Sequence, residues 1–561
     1  MTTQYDDDYD VICAGAGIGG LSAAITAAER GARVLVVEKL DKLGGVSALS
    51  LGQLWPGPNN VAEDLGIADS NSEAQKYLDY LSQGLSIESL RKEYLARSRE
   101  TVEFFTETVG LDLTVIRGLP DYYYPSVAGS TSEGRFLEIR PFSGKRLGEW
   151  ADRVLTSPYG PNYSYVTGNE FLEAQMGREN IVECLQRHMK ADERCGGAGL
   201  SAALVHAALE RKVELRTSTT VAKLLTEGSV IVGIVAQQAA TDTIQEKSFR
   251  FRARKGVVLA TGGYDWRKDL IQSFDGLQDT GTMVPPTVTG DHIVLASQVG
   301  AIPVNARLPS QSPIFIGYRV PNETIFGHPS SRLLMAGAPH SMIVNRSGRR
   351  FANDGFYHDV VLKAAYYSGQ AEGMTNWPAW LVFDQNMLDK YGLQPSAPGE
   401  PLPAGLAMQA ENLSALAELA GINALALSET VERFNGFCKS GVDTDFARGT
   451  VLWSALMAGD MKLPNPNLGE IERGPFYAVK LQHVSLGAEN AGLPIDGDGN
   501  VLTPMGDRIQ GLYATGNSTA WQDWGGGYSS GVAGMRGMLY GFRAALQMTE
   551  GALKREVSSK L

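Results

Sequence analysis

Residues 9–38 read YDVICAGAGIGGLSAAITAAERGARVLVVE. Tyr9 to Ala14, apolar but for Asp10, has the pattern of a buried strand. Gly15, Gly17 and Gly20 follow as G-x-G-x-x-G. Leu21 to Arg30 is an alanine-rich helical stretch, Gly31 ends it, and Arg33 to Val37 is a second strand closed by Glu38. Each glycine has its own reason. The first permits a tight turn, the second lets a pyrophosphate approach the backbone, and the third lets helix and strand pack closely. The helix amino end then faces phosphate, and Glu38 can accept from a ribose hydroxyl. The unit predicts an α/β fold with a Rossmann-like dinucleotide site.

The remaining composition narrows the class. At 561 residues the chain exceeds one ordinary core, so two or more domains are expected. Its 43% hydrophobic and 20% charged residues suit a soluble globular protein. A net charge of −12 argues against a general nucleic-acid binder. The acidic start MTTQYDDDYD lacks an apolar signal core, and no apolar run reaches the roughly 18 residues of a membrane span. Cys13, Cys184, Cys195 and Cys438 are scattered without a Cys-x-x-Cys pair, which disfavours a disulfide framework, a zinc site and covalent haem. Reduced thiols fit a cytoplasmic location. The 64 glycines show no period, so collagen-like and solenoid readings fail.

The next stretch selects among dinucleotides. Lys42 to Asn60 reads KLGGVSALSLGQLWPGPNN, a second glycine pair followed by serine-rich bare backbone. Such backbone suits a large planar ring lying along it. Gly44, Gly45, Ser47, Ser50, Gly52, Trp55, Pro56, Asn59 and Asn60 resemble the GG-x-[ST]-x-x-S-G-G and W-x-P-N-N-like run of the FAD-dependent 3-ketosteroid dehydrogenases, a branch of the fumarate reductase/succinate dehydrogenase flavoprotein superfamily. Leu51 stands where a glycine is usual. GVVLATGGYDW (256–266) and GLYATGNSTA (511–520) match the strand-to-glycine turns that in this family pack beside the cofactor. The resemblance implies FAD, bordered by Lys39, Ala260, Thr261, Gly262, Asp291, Gly516 and Asn517 besides the residues above. Part of the superfamily attaches flavin through a histidine near this run. None occurs here, so the FAD is expected to be noncovalent. The family's T-G-D-G element reads T-G-D-H, with His292 last. The resemblance covers about 1–60, 250–300 and 335–561 and is thin across 150–250.

It also implies a discontinuous FAD-binding domain, residues 1–270 and 470–561, with an α+β substrate and catalytic cap inserted at 271–469. Pro285–Pro286 and the run LQPSAPGEPLPAG (393–405) mark breaks, and 408–440 read as helices.

The seven histidines form no H-x-H or H-E-x-x-H, and no G-x-S-x-G elbow is present, so no metal is expected. Flavin then carries the redox step while protein groups move protons and hold substrate. Oxidation beside a ketone needs a base for the α-proton, donors for the enolate-like oxygen, and the β-hydrogen placed at flavin N5. Tyrosine, with a free pKa of about 10, serves as a base only with a supporting donor. The P-D-Y run at Tyr122 resembles the tyrosine that assists the base in ketosteroid Δ1-dehydrogenases. SMIVNRSGRRFANDGFYHDV (341–360) resembles V-N-x-x-G-x-R-F-x-N-E, after which the family's proton-accepting tyrosine follows, and Tyr357 is nearest to it. WGGGYSSG (524–531) places Tyr528, Ser530 and Gly531 at the carbonyl-holding position. It lacks the Y-P-G-x-G of the Δ1 enzymes and resembles the Tyr-x-Ser of the Δ4-(5α) enzymes. Its bareness is expected to let ring and ketone reach the main chain, with the following helix adding amide donors.

The expected activity is FAD-dependent α,β-desaturation of a hydrophobic cyclic ketone, most plainly a 3-ketosteroid (Δ1 or Δ4), with electrons leaving to an external acceptor such as a quinone. One alternative is a desaturase of a smaller, cyclohexanone-type ketone. A fumarate-reductase-like enoate reductase is another, although LMAGAPHSMIVN (334–345) lacks that family's arginine. A flavin-binding protein without turnover is the third.

Overall fold

The computed structural model describes residues 4–240, 246–307, 315–356, 360, 368–369 and 373–558. Its centre is an eight-stranded sheet. Strand β1 (Asp7–Ala14) pairs in parallel with β2 (Val34–Val37) and, on its other side, with Lys247–Leu259. Lys247–Leu259 pairs in parallel with Arg508–Ala514, so the sheet joins the two ends of the chain. Val230–Gln238 adds on antiparallel and carries Thr219–Glu227 beside it. Burial of the apolar runs explains the sheet: every residue of β2 and the last four of β1 are buried.

Helix α1 spans Ile18–Glu29, beginning three residues earlier than the alanine pattern suggests, with Gly17 at its N-cap and no side chain capping it. The long helix Val532–Ser558 crosses it closely. A Cβ on Gly541 would lie 2.5 Å from the Gly19 carbonyl oxygen, so glycine is required at the crossing.

Residues 150–250, thin in family resemblance, include the helix Gly196–Glu210, which packs on α1 and on the turn Gly45–Leu49. The contact is backbone to backbone: a Cβ on Gly197 would meet the Ser47 carbonyl oxygen at 2.0 Å.

Between the two chain portions of the main sheet lie two four-stranded sheets. One is Ser341–Asn345, Ala379–Asp384, Phe476–Lys480 and Met408–Ala410, with a separate apolar core around Val344, Val382, Leu416, Leu427 and Phe434. The other is Thr280–Thr282, Gln482–Ser485, Phe315–Ile325 and His328–Leu333. Residues 408–410, expected to be helical, are an edge strand on Phe476–Ala478. The helix starts at Leu413, where the Asn412 side chain accepts from the Ala415 amide. Among the described residues no helix is long and apolar enough to cross a membrane.

Candidate active site

The glycine-rich segments converge on one trough. An ideal Cβ on Gly17, Gly45, Gly262 or Gly516 would make only ordinary contacts, none nearer than 3.6 Å, so these four positions are uncrowded. The opposite holds behind them. A Cβ on Gly15 would lie 2.2 Å from the Ala260 oxygen, and one on Gly20 would lie 1.9 Å from the Gly15 oxygen. The first and third glycines seal the turn while the second faces outward, as the fingerprint requires. Gly44 (φ +106°) and Gly45 (φ +53°) turn the second loop beside them, and the Gly44 amide donates to the Ala16 carbonyl at 3.0 Å.

The side chains fit a dinucleotide. Ser47 Oγ accepts from the Ile18 amide at 3.2 Å, tying the second loop to the first turn of α1. Ser50 Oγ donates to the Ser47 carbonyl at 2.7 Å and so shapes the loop from within. Glu38 Oε2 accepts from the Ala16 amide at 2.8 Å and Oε1 from the Leu40 amide at 2.9 Å, at the end of β2. Burial pushes its carboxyl above the ordinary range despite those amides. Lys39 and Asp291, both expected at the cofactor, pair with each other at 3.1 Å, and Lys39 Nζ also donates to Thr289 at 2.6 Å. Thr261 Oγ1 meets His292 Nδ1 at 3.2 Å, so the residue in place of the family's glycine is a buried imidazole behind the trough. Burial lowers it to about 4, which keeps it neutral. Asn517 donates to the Gly487 carbonyl and leaves its Oδ1 without a partner. Both side-chain atoms of fully buried Asn490 are likewise unpartnered. Buried orphaned amides are costly; beside the uncrowded glycines they fit a polar cofactor.

The tyrosines fall out unequally. Tyr528 is half-buried, its ring 5.8 Å from Phe315 and 6.0 Å from Trp521. Burial raises its phenol to about 12, and the Arg307 cation pulls the other way, so at neutral pH it is a neutral donor. Tyr122 is buried, with its ring 4.2 Å from Trp453 and 6.1 Å from Phe356. Tyr357 lies outside the described residues, but its neighbour Phe356 stands edge-on to both Tyr122 and Tyr123. Trp55 links the two tyrosine loops. Its indole N–H donates to Asp121 at 2.8 Å, beside Tyr122, and its ring lies 5.1 Å from Trp524, where the Tyr528 turn begins. Asp121 is balanced by the buried Arg135 at 2.8 Å.

Ser530 is half-buried, whereas Ser529 is fully buried with its hydroxyl unpartnered. The carbonyl of Gly531 accepts from the Trp55 amide at 3.2 Å and the Met535 amide at 2.9 Å. The bareness of the turn has a different cause from the expected one. A Cβ on Gly525 would meet the Ser86 amide nitrogen at 2.6 Å, one on Gly527 would meet Leu81 at 2.6 Å, and one on Gly531 would meet the Leu54 carbonyl carbon at 2.8 Å. Those glycines face protein, not ligand.

Several site residues escape the sequence reading. Arg307 reaches the Tyr528 turn from 218 positions upstream. Asp265 and Glu489 are a buried carboxyl pair behind the trough. Burial, and then the Asp265 charge, push Glu489 well above the carboxylate range. Among the described residues no group of three or more His, Cys, Asp or Glu side chains could hold a metal ion.

Comparison with known proteins gives concordant results. Residues 10–534 match the family model described as FAD binding domain. The chain is 33% identical over 541 residues to a 3-oxosteroid 1-dehydrogenase of Mycolicibacterium smegmatis, covering 92% of each chain. It is 33% identical over 516 residues to a 4-oxocyclohexanecarboxylate 2-dehydrogenase of Sinomonas cyclohexanicum, covering 91% of this chain and 88% of that one. The crystal structure of 3-ketosteroid delta1-dehydrogenase from Sterolibacterium denitrificans, in complex with 1,4-androstadiene-3,17-dione, superposes with a TM-score of 0.86 at 28% identity, covering 97% of this chain and all of that one.

Proposed function

Because the chain belongs to the FAD-binding flavoprotein family that includes the 3-oxosteroid 1-dehydrogenases, we propose that it desaturates a cyclic ketone next to its carbonyl, with a 3-oxosteroid as the substrate. FAD is the cofactor, and when bound it supplies the acceptor for the hydride that leaves the β-carbon. The protein's own groups do the rest. The neutral phenol of Tyr528 donates to the ketone oxygen; the observation that carries the reading is its place on the turn gripped by Arg307, its ring 5.8 Å from Phe315 and 6.0 Å from Trp521, and burial keeps its proton on. Tyr357, on the family resemblance, takes the α-proton, and Tyr122 supports it from the aromatic wall of Trp453 and Phe356. Trp55 and Asp121 hold that wall in register with the Tyr528 turn.

The uncrowded backbone at Gly17, Gly45, Gly262 and Gly516, with Glu38, Ser47 and Asn517, supports the assignment of the cofactor site. We assign the cap to residues from about 271, extended past 469 by the strands Phe476–Lys480 and Gln482–Ser485, which pair with its sheets. Electrons leave to an external acceptor such as a quinone. Four free cysteines support a cytoplasmic location.

The test is anaerobic bleaching of the yellow holoenzyme by a small ketone panel, with the new double bond located in the product. A 3-oxosteroid should bleach it. Bleaching by 4-oxocyclohexanecarboxylate alone would move the substrate to a smaller ring, a second reading favoured by the 33% identity to the Sinomonas enzyme. Reoxidation of dithionite-reduced protein by fumarate, without bleaching by any ketone, would refute both.

A further inference from the structure

Arg307 is only 4% exposed. Its Nε donates to the Gly525 carbonyl at 2.7 Å and its Nη2 to the Gly527 carbonyl at 2.9 Å. Both carbonyls belong to the turn leading into Tyr528. The guanidinium carbon stands 4.1 Å over the Trp521 ring, and Nη1 has no partner. Among the described residues, then, its nitrogens meet two carbonyls and no carboxylate.

A buried cation normally has an anion against it. Among the described residues, the charged and titratable groups that weigh most on this one are Arg536, Tyr528, Asp523 and Asp275. Both acids are committed elsewhere. Asp523 takes Arg536 at 2.8 and 2.9 Å and Tyr540 at 3.0 Å. Asp275 accepts from Tyr264 at 2.7 Å and from the Asn490 amide at 3.2 Å. Burial, and then the Arg536 charge, bring Arg307 down to about 9, which leaves it protonated at neutral pH. The Tyr528 turn therefore rests on a buried guanidinium that, among the described residues, pairs directly with no carboxylate.

We propose that Arg307 is a positioning residue that holds the Tyr528 turn and keeps a positive charge with no direct carboxylate partner among the described residues beneath it for the oxygen of an enolising ketone. The inference rests on the reading of Tyr528 as the carbonyl-holding phenol. During enolisation the α C–H bond breaks and its proton passes to the base. The C–H pair becomes the new C=C bond, and the carbonyl π pair moves onto oxygen. That oxygen gains negative charge. Arg307 acts on it through the peptide it grips: its bond to the Gly527 carbonyl polarises the Gly527–Tyr528 unit, whose N–H belongs to Tyr528. Preorganised charge of this kind costs no reorganisation when the oxygen ionises.

The test uses FAD-loaded enzyme and two probes. One is 17β-estradiol, whose phenolate resembles the enolate, titrated from pH 7 to 11 by its difference spectrum. The other is 1,4-androstadiene-3,17-dione, a neutral ketone. Wild type should bind the phenolate at least about tenfold better than the phenol, a shift of one pKa unit or more. Arg307→Met should lose that preference about tenfold while its affinity for the neutral ketone moves less than about threefold. Arg307→Lys, which keeps the charge, should retain the preference. The inference is overturned if both probes bind and Arg307→Met still prefers the phenolate, or if Arg307→Lys loses the preference as fully as Met. Should Arg307→Met fail to load FAD, the Lys variant decides by the same criterion. Failure of wild type to bind either steroid would instead remove the proposed function and this inference with it.

Discussion

Replacing Tyr528 by Phe removes one hydroxyl and almost nothing else. The ring contacts with Phe315 at 5.8 Å and Trp521 at 6.0 Å are made by carbon edges that Phe keeps. FAD content and melting temperature should therefore stay at wild-type values. What disappears is a neutral donor, since burial raises the phenol to about 12. In the ground state a neutral hydrogen bond to a ketone is worth about 1 kcal/mol, so KM should rise only several-fold. In the transition state the oxygen is nearly an anion, and loss of one such donor costs about 10²–10³ in kcat. A larger loss in kcat than in KM is the signature expected. The pH dependence follows from the same shift. A phenol whose pKa is raised stays protonated below its ordinary value near 10 and loses its proton only as pH climbs through about 12. An alkaline fall in kcat/KM near pH 8 or 9 thus has to come from another group, and it should persist in the Phe variant. The assay is single-turnover flavin bleaching with a 3-oxosteroid, with FAD occupancy measured in parallel. Turnover within about threefold of wild type, at full occupancy, would show that Tyr528 does not hold the carbonyl.

The other expectations concern the scaffold. Gly20→Ala would drive a Cβ to 1.9 Å from the Gly15 oxygen, so the purified variant should show a several-fold lower flavin-to-protein absorbance ratio; normal loading would contradict the trough assignment. Asp354→Asn leaves the buried Arg350 and Arg448 without their shared carboxylate, which should cost about 3–5 kcal/mol in denaturant unfolding. Although burial opposes it, the two arginine charges hold the Asp354 carboxyl low, so its stabilisation is complete above the ordinary value of 3.8 and fades as pH falls through the lower folded value. Glu489→Gln removes a carboxyl that burial and the Asp265 charge push well above its ordinary range, so in denaturant unfolding the variant should gain stability over wild type as pH climbs above 4.5. Its raised pKa means that its contribution is complete below the ordinary 4.5 and is lost as pH rises through the folded value; the Gln variant should therefore resist alkaline unfolding better.

Much of the cofactor trough was legible because its signals are local. The turn at Gly15, the N-cap at Gly17 and the acid at Glu38 are fixed by neighbours a few residues away or by one short crossover. The aromatic run at Tyr122 was singled out by resemblance, and its ring stands edge-on to Phe356 at 6.1 Å. Arg307 was not, since a lone arginine in VNARLP has no period or spacing. Its meaning arises only when a turn 218 residues later folds against it. Lys39 and Asp291 were each read as facing the cofactor, but two opposite charges brought together from 252 positions apart pair first with each other. The helix Gly196–Glu210 was readable in principle: GGAGLSAALVHAALE is small and apolar on nearly every face, the mark of a helix buried all round. It buttresses the second glycine loop, which explains why a stretch of thin resemblance still serves the site.

The glycines around Tyr528 show how composition can mislead about cause. A bare run beside a candidate catalytic residue invites the thought that ligand must touch backbone there. At Gly525, Gly527 and Gly531 the atoms within 3 Å of a would-be Cβ are backbone and side-chain atoms of residues 54–55 and 81–86. The turn is wedged against protein on three sides and gripped by Arg307 on two carbonyls. A phenol on such a turn cannot swing to follow the substrate, so the substrate has to come to it. The bareness is therefore a requirement of packing, and packing is what makes the donor rigid. Substitutions at these glycines should consequently fail first in folding or FAD loading, while those at Tyr528 and Arg307 should fail first in stabilising the ionised oxygen.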